Sequence, residues 1–197
     1  LIDKFCIEKM YETILSHGSK SAVGGFIINK NKINKNSSKL LNLFKNFLIN
    51  NTFYIRNWTI TKSGLGYGFT GNVDNLLIED VEWISGGCMI HYKENLIYEN
   101  FIIFEGKAYY EDLVHSFLLR QNKIQLLLNY TAKCTHNNHE NIYNLCIVDF
   151  FNYFANEYKS RKYFVKLAKL NYLNLNLWSL VILIKYFLNK IFNFVNK

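Results

Sequence analysis

Hydrophobic positions change period several times along the chain, and each change predicts a new element. Residues 1–17 place Ile2, Phe5, Cys6, Met10, Ile14 and Leu15 near helical spacing and stop at His17-Gly18, which predicts a short amphipathic helix. An apolar run over residues 23–28, followed by Lys, Asn and Ser up to residue 39, predicts a strand and then a basic loop. Leu40, Leu41, Phe44, Phe47 and Leu48 form an i, i+3, i+4, i+7 stripe, so residues 40–50 predict a helix. Four short β-rich runs come next: TFYIRNWTI, VDNLLIEDVEWI, CMIHYK and NLIYENFIIFEG. No helical pattern separates them, which predicts an antiparallel sheet. The longest helical pattern covers residues 109–130, where Leu113, Val114, Phe117, Leu118, Ile124, Leu127 and Leu128 build one face. Two further helices are predicted beyond residue 141.

A run of strands followed by helices defines an α+β class: a small antiparallel sheet packed by helices, with a mostly helical C-terminal extension. The expected organisation is an N-terminal helix and basic loop over residues 1–39, an α+β domain over 40–130 and a helical extension over 131–197. Between Lys169 and Lys185 the chain is uncharged but interrupted by Asn171, Asn174 and Asn176. That stretch is shorter than the roughly 20 apolar residues of a membrane span, so a buried or partner-docking helix is expected. Membrane contact through residues 170–195 is the alternative, because Trp178 to Ile184 is strongly apolar.

Composition adds a source. The chain has no Pro, only three Arg (56, 120 and 161) among 23 basic residues, and abundant Asn, Lys, Ile, Phe and Tyr, the bias an AT-rich genome imposes. It also begins with Leu1. A Leu start suits initiation at a non-AUG codon, as in some organelles, and equally a trimmed N-terminus; with the codon bias it points to an organelle-encoded, mitochondrial protein, for which an N-terminal sorting signal is unnecessary, and residues 1–15 mix acid and base and resemble none. The formal net charge of +8 favours a polyanionic partner, either nucleic acid or an anionic membrane surface. Four widely spaced cysteines, at 6, 88, 134 and 146, point to reduced thiols rather than a disulfide scaffold.

Candidate chemistry is sparse. Gly66, Gly68 and Gly71 fit G-x-G-x-x-G, but the residues after them read as turn and strand, and a dinucleotide loop needs a helix N-terminus there to hold the pyrophosphate. No Walker lysine or kinase motif accompanies them, so the expected role is a glycine turn that lets another backbone, or an RNA, come close. Cys134, His136, His139 and Cys146 are suitable zinc ligand types, yet C-x-H-x2-H-x6-C matches no common zinc knuckle, and Cys146 lies in an apolar run. They stand as weak metal candidates, and no cofactor is expected. His91, His115, Glu79, Asp80 and Glu82 form no nucleophile elbow or paired-carboxylate arrangement, so the chain reads as no enzyme and as having no small-molecule substrate.

Gly64-Leu65-Gly66-Tyr67, Gly71-Asn72-Val73 with Leu76-Leu77, then Ile102-Ile103-Phe104-Glu105-Gly106-Lys107 and a helix reaching Leu119-Arg120 follow one another at characteristic spacing. This stretch resembles the C-terminal domain of the universal large-subunit ribosomal protein six family, and Lys39-Leu40-Leu41-Asn42 falls where that family has an Ala-Leu-Leu-Asn helix. The family's proline-rich basic stretch after the helix has no counterpart in residues 121–138. The resemblance implies a structural, non-catalytic protein bound to large-subunit ribosomal RNA and to neighbouring ribosomal proteins.

Taken with the charge, it gives an expected RNA contact set of Lys62, Gly64, Gly66, Tyr67, Gly71, Lys107, Arg120, Lys123, Lys159, Arg161, Lys162, Lys166 and Lys169. The alternative role is an accessory subunit of a mitochondrial inner-membrane respiratory complex, with residues 170–195 on lipid.

Overall fold

The computed structural model of the chain describes residues 2–29, 39–68, 77–98, 110–136 and 142–195. These form an α+β protein with five helices and six strands among the described residues. The chain divides into two compact units: the first comprises Leu1–Lys35, Arg56–Ile60 and Gly66–Asn138, the second Asn36–Ile55, Thr61–Leu65 and His139–Lys197. The helix expected to belong with the sheet, residues 40–50, is therefore part of the second unit.

The first unit is built on a four-stranded sheet ordered β4-β6-β1-β5, from β1 (Ser21–Asn29), β4 (Ile78–Asp80), β5 (Met89–His91) and β6 (Gln125–His136). Its two outer pairings, β1–β5 and β4–β6, are antiparallel as expected, but the central β1–β6 pairing is parallel. A separate two-stranded ribbon pairs β2 (Thr59–Ile60) with β3 (Gly66–Tyr67).

The long helix expected over residues 109–130 is the main correction. Helix α3 (Glu111–Gln121) ends well short of that span, and after a tight reversal the chain continues as β6, a strand hydrogen-bonded on both sides. The reversal turns on Lys123, whose φ of 61° is left-handed; Ile124 N–H donates to Leu119 C=O at 3.0 Å, the closing bond of a Schellman motif. Ile124, Leu127 and Leu128 fit a helical face, yet a strand buried on both faces is also continuously apolar, so the pattern is ambiguous.

Both faces of β6 are indeed covered. Leu126, Leu128 and Tyr130 join Ala22, Val81, Ile84 and Leu119 in one core layer. Leu127 joins Val23 on the other face, under Cys6, Met10 and Ile14 of α1 (Cys6–His17). Between Gly25 and Phe26 of β1 the partner on β6 jumps from Asn129 to Lys133. Three extra residues bulge out on β6, and an odd insertion reverses which face each later side chain takes. Ala132 and Cys134 consequently lie in the α1 layer with Leu127.

The second unit is helical: α2 (Lys39–Asn50), α4 (Ile147–Leu167) and α5 (Tyr172–Val195), as expected from the periodicity. Its core includes Phe150 stacked on Tyr186, ring centroids 3.6 Å apart, beside Ile182, Trp178 and Leu183. The segment 61–65 is tied to α2 and to the start of α5: Ser63 N–H donates to Ile49 C=O, and Asn171 N–H donates to Lys62 C=O, both at 2.9 Å.

Candidate functional site

Charge separates the two units. The second holds eleven of the 23 Lys and Arg but three of the 15 Asp and Glu, so the whole formal net charge of +8 resides there, and the first unit has twelve of each sign. Of those three acids, Glu157 is buried and Asp149 accepts from the Cys146 thiol at the start of α4, at 3.0 Å. Little acid remains to offset the lysines.

Helix α4 arranges them on one side. Lys159, Lys162 and Lys166 stand at i, i+3 and i+7, all exposed, and Lys169 lies exposed just beyond the helix end. At 1.5 Å per residue the row from 159 to 169 runs about 15 Å. The ion pairs present among the described residues are Arg56–Glu79 and Arg161–Glu157, so none involves this row.

Arg161 does not belong to that row. It points to the opposite, apolar side of α4 and is 0% exposed, with Nη2 donating to Glu157 Oε2 at 3.2 Å and to Ser179 Oγ of α5 at 3.0 Å. It is a core cation, and as folded it offers nothing to RNA. The helical wheel carries the signal: Arg161 falls with Phe150, Phe154 and Phe164, four residues after Glu157, off the lysine face.

The glycine turn also reads differently in three dimensions. Gly64 has a φ of 78°, and a Cβ there would lie 2.7 Å from Val165 Cγ2. A Cβ on Gly66 would lie 2.8 Å from the Trp83 ring and 2.9 Å from Leu113. Both glycines are thus required by protein packed against them rather than by an approaching nucleic acid. Lys62 is exposed in this turn, Tyr67 is half-buried, and Arg120 and Lys123 are exposed in the first unit at the end of α3. Gly71 and Lys107 lie outside the described residues.

The expected metal quartet is divided between the two units, Cys134 and His136 in the first and His139 and Cys146 in the second. Cys146 caps α4 in the second unit and is exposed; His139 lies outside the described residues, and His136 ends β6. Cys134 instead meets two other cysteines. Cys6, at the start of α1, and Cys88, just before β5, put their sulfurs 3.3 Å and 2.8 Å from Cys134 Sγ and 3.8 Å from each other. All three are buried. Met10 Sδ, one turn along α1 from Cys6, stands 3.8 Å from Cys88 Sγ. Burial, above all, raises the thiols of Cys6 and Cys134 above their ordinary range, so both are protonated at neutral pH.

Separations of 82 and 128 residues hide this cluster from any local motif. The one sequence signal is that Cys6 and Met10 share the buried stripe of α1.

Elsewhere in the first unit, His91 and His115, far apart in sequence, lie with ring centroids 5.7 Å apart. Burial, followed by the nearby His91, holds the His115 imidazole below its ordinary range, so it is neutral at pH 7. Glu79 does not join them: it accepts from the Tyr130 hydroxyl, which in turn accepts from Trp58 Nε1 at 3.0 Å. A depression beside α1 is lined by Lys9, Thr13, Asn129 and Thr131, whose polar atoms bond to one another within the fold.

Helix α5 is apolar on both its sides. Asn174, Leu175, Ser179, Ile182 and Tyr186 are buried, while Leu173, Leu177, Leu180, Ile184, Phe187 and Ile191 are exposed. Its segment Tyr172–Asn193 is long and apolar enough to cross a membrane by length and composition, and only 22% of its most apolar window is buried. The helix is longer than the uncharged stretch alone suggested, because it continues through Lys185 and Lys190. No family model, no curated protein and no solved structure matches the chain.

Proposed function

We propose that the protein is a structural, non-catalytic constituent of an organellar, mitochondrial ribosome, and that its helical unit binds large-subunit ribosomal RNA. The observation that carries this reading is the confinement of the whole net positive charge to one unit, with Lys159, Lys162, Lys166 and Lys169 exposed along α4. Such a row neutralises phosphates and releases counterions, a mechanism that needs no pocket. The resemblance of residues 64–120 to the large-subunit protein six family supports the same assignment, and the exposed apolar side of α5 would dock a neighbouring ribosomal protein.

Binding of a structured ribosomal RNA fragment should weaken steeply with salt. In Lys159→Ala/Lys162→Ala/Lys166→Ala the slope of log K against log[salt] should fall by roughly 0.7–0.9 for each phosphate that the variant no longer neutralises. An unchanged slope would remove α4 from the interface. Arg161→Lys should leave the slope alone.

The exposed apolar side of α5 favours a second reading, an accessory subunit of an inner-membrane complex, in which α5 meets lipid and Lys185 and Lys190 meet anionic headgroups. Release from a large particle by RNase or high salt supports the ribosomal reading. Extraction only with detergent, independent of RNase, supports the membrane reading instead.

A further inference from the structure

We propose that Cys6, Cys88 and Cys134, backed by the thioether of Met10, form a closed all-sulfur site for a single Cu(I) ion in the first unit. The inference is independent of the proposed RNA contact, which lies on the lysine row of the other unit.

Three separate elements deliver the sulfurs, and the fold makes specific provision for each. The bulge in β6 turns Cys134 onto the α1 face; without the odd insertion, the strand's alternation would place residue 134 on the opposite layer. Asn129 holds that bulge, accepting from Thr131 N–H at 2.8 Å and Ala132 N–H at 3.2 Å while donating to Thr13 Oγ1 of α1 at 2.8 Å. Gly25 clears the space beneath: a Cβ there would fall 2.8 Å from Cys88 Sγ and 3.2 Å from Cys6 Sγ. Isolated buried cysteines behave as small hydrophobes and need no such company. Here three of the chain's four cysteines converge on one point.

Donor chemistry selects the ion. Thiolate and thioether ligands favour Cu(I), zinc or iron–sulfur clusters. An iron–sulfur cluster takes four cysteines, and this site has three. Structural zinc takes four thiolate, imidazole or carboxylate ligands, whereas the fourth donor at hand is a thioether, 3.8 Å from Cys88 Sγ. Cu(I) accepts such a set. Metal–thiolate bonds of about 2.3 Å put two sulfurs on one ion about 3.8 Å apart. The Cys6–Cys88 spacing already has that value, and small side-chain rotations would open the pairs at 3.3 and 2.8 Å.

On binding, the three thiols become thiolates and form Cu–S bonds, and their three protons pass to solvent. Copper stays Cu(I), so no oxidant is required. The bound site carries two net negative charges.

The test uses the full chain, purified anaerobically with free thiols and titrated with Cu(I) from a chelator buffer, with Zn(II) in a parallel arm. Expected are one Cu(I) per chain, an ultraviolet thiolate-to-copper band, and an X-ray absorption first shell of sulfur alone. Apparent affinity should rise roughly 1000-fold per pH unit below the thiol range, reporting three protons released. Cys6→Ser and Cys134→Ser should each lower the affinity at least ~100-fold, and Cys146→Ser, in the other unit, should leave it unchanged.

If those variants do not fold, the wild-type absorption spectrum decides. A shell containing nitrogen or oxygen overturns the site, as does tighter binding of Zn(II) than of Cu(I). Equal Cu(I) uptake by wild type and folded Cys6→Ser overturns it, and so does a Cys88–Cys134 disulfide that forms on mild oxidation equally with and without Cu(I).

Discussion

Gly64 shows how one residue type can be required for two reasons at once. Its left-handed φ of 78° disfavours any side chain, and the space a Cβ would take is occupied by Val165 Cγ2 at 2.7 Å. Gly64→Ala should therefore cost about 1–2 kcal/mol for the conformation and a further ~1–3 kcal/mol for overpacking, measurable by urea denaturation. A bulky residue at Gly66 should likewise disturb Trp83 and Leu113 before it touches any partner, so an assembly defect there would report on folding. Asp112, in the first turn of α3, gives a pH signature. Burial, then the nearby Glu111, raises its carboxyl from an ordinary 3.8 to about 6. The folded state thus prefers the protonated acid: its stabilising share is complete below pH 4 and is lost as pH rises through 6. Asp112→Asn should match wild type at pH 4 and melt a few degrees higher at pH 7, and thermal melts across that window check it.

At the scale of elements, the Asn129 bulge and the buried pair on α4 decide most. Asn129→Ala leaves bulge amides without their acceptor and should cost about 1–3 kcal/mol; it should also raise the reactivity of Cys134 toward a thiol reagent, because the bulge sets that residue's face. Removing only the cation, in Arg161→Met, strands Glu157 in the core and should cost about 3–5 kcal/mol, while the double change Arg161→Met/Glu157→Gln should recover much of it. A double-mutant cycle in denaturant measures both. Element types were largely readable from periodicity: α1, α2, α4, α5 and β1 fall where the apolar spacing puts them. The β-rich runs over 52–60, 73–84 and 88–93 hold only the short strands β2, β4 and β5 among the described residues, and the largest departure is β6. A strand covered on both faces lacks the period of two that distinguishes it from a helix, so the leucines at 126–128 fit either. The site was less legible still. Lys159, Lys162 and Lys166 share a face by spacing alone, whereas Arg161 differs from its neighbours only through the wheel position that buries it.

For the whole molecule, the telling feature is segregation. One unit is electrically balanced, covers both faces of its sheet and encloses three thiols; the other is helical, carries all the net charge and exposes the apolar side of α5. Two partner-facing chemistries thus share one unit, a lysine row for a polyanion and an apolar helix side for protein or lipid. Composition and periodicity by themselves determined the cationic character, the α+β class and the helical C-terminal region, because these depend on residue counts and on repeats of a few residues. Only the tertiary structure decided that the charge belongs to one unit, that Arg161 is a core residue, and that Cys6, Cys88 and Cys134 meet. Those outcomes depend on strand register and on the meeting of distant segments. A three-residue bulge at Asn129 is enough to choose which face a cysteine takes, and no local pattern encodes that choice.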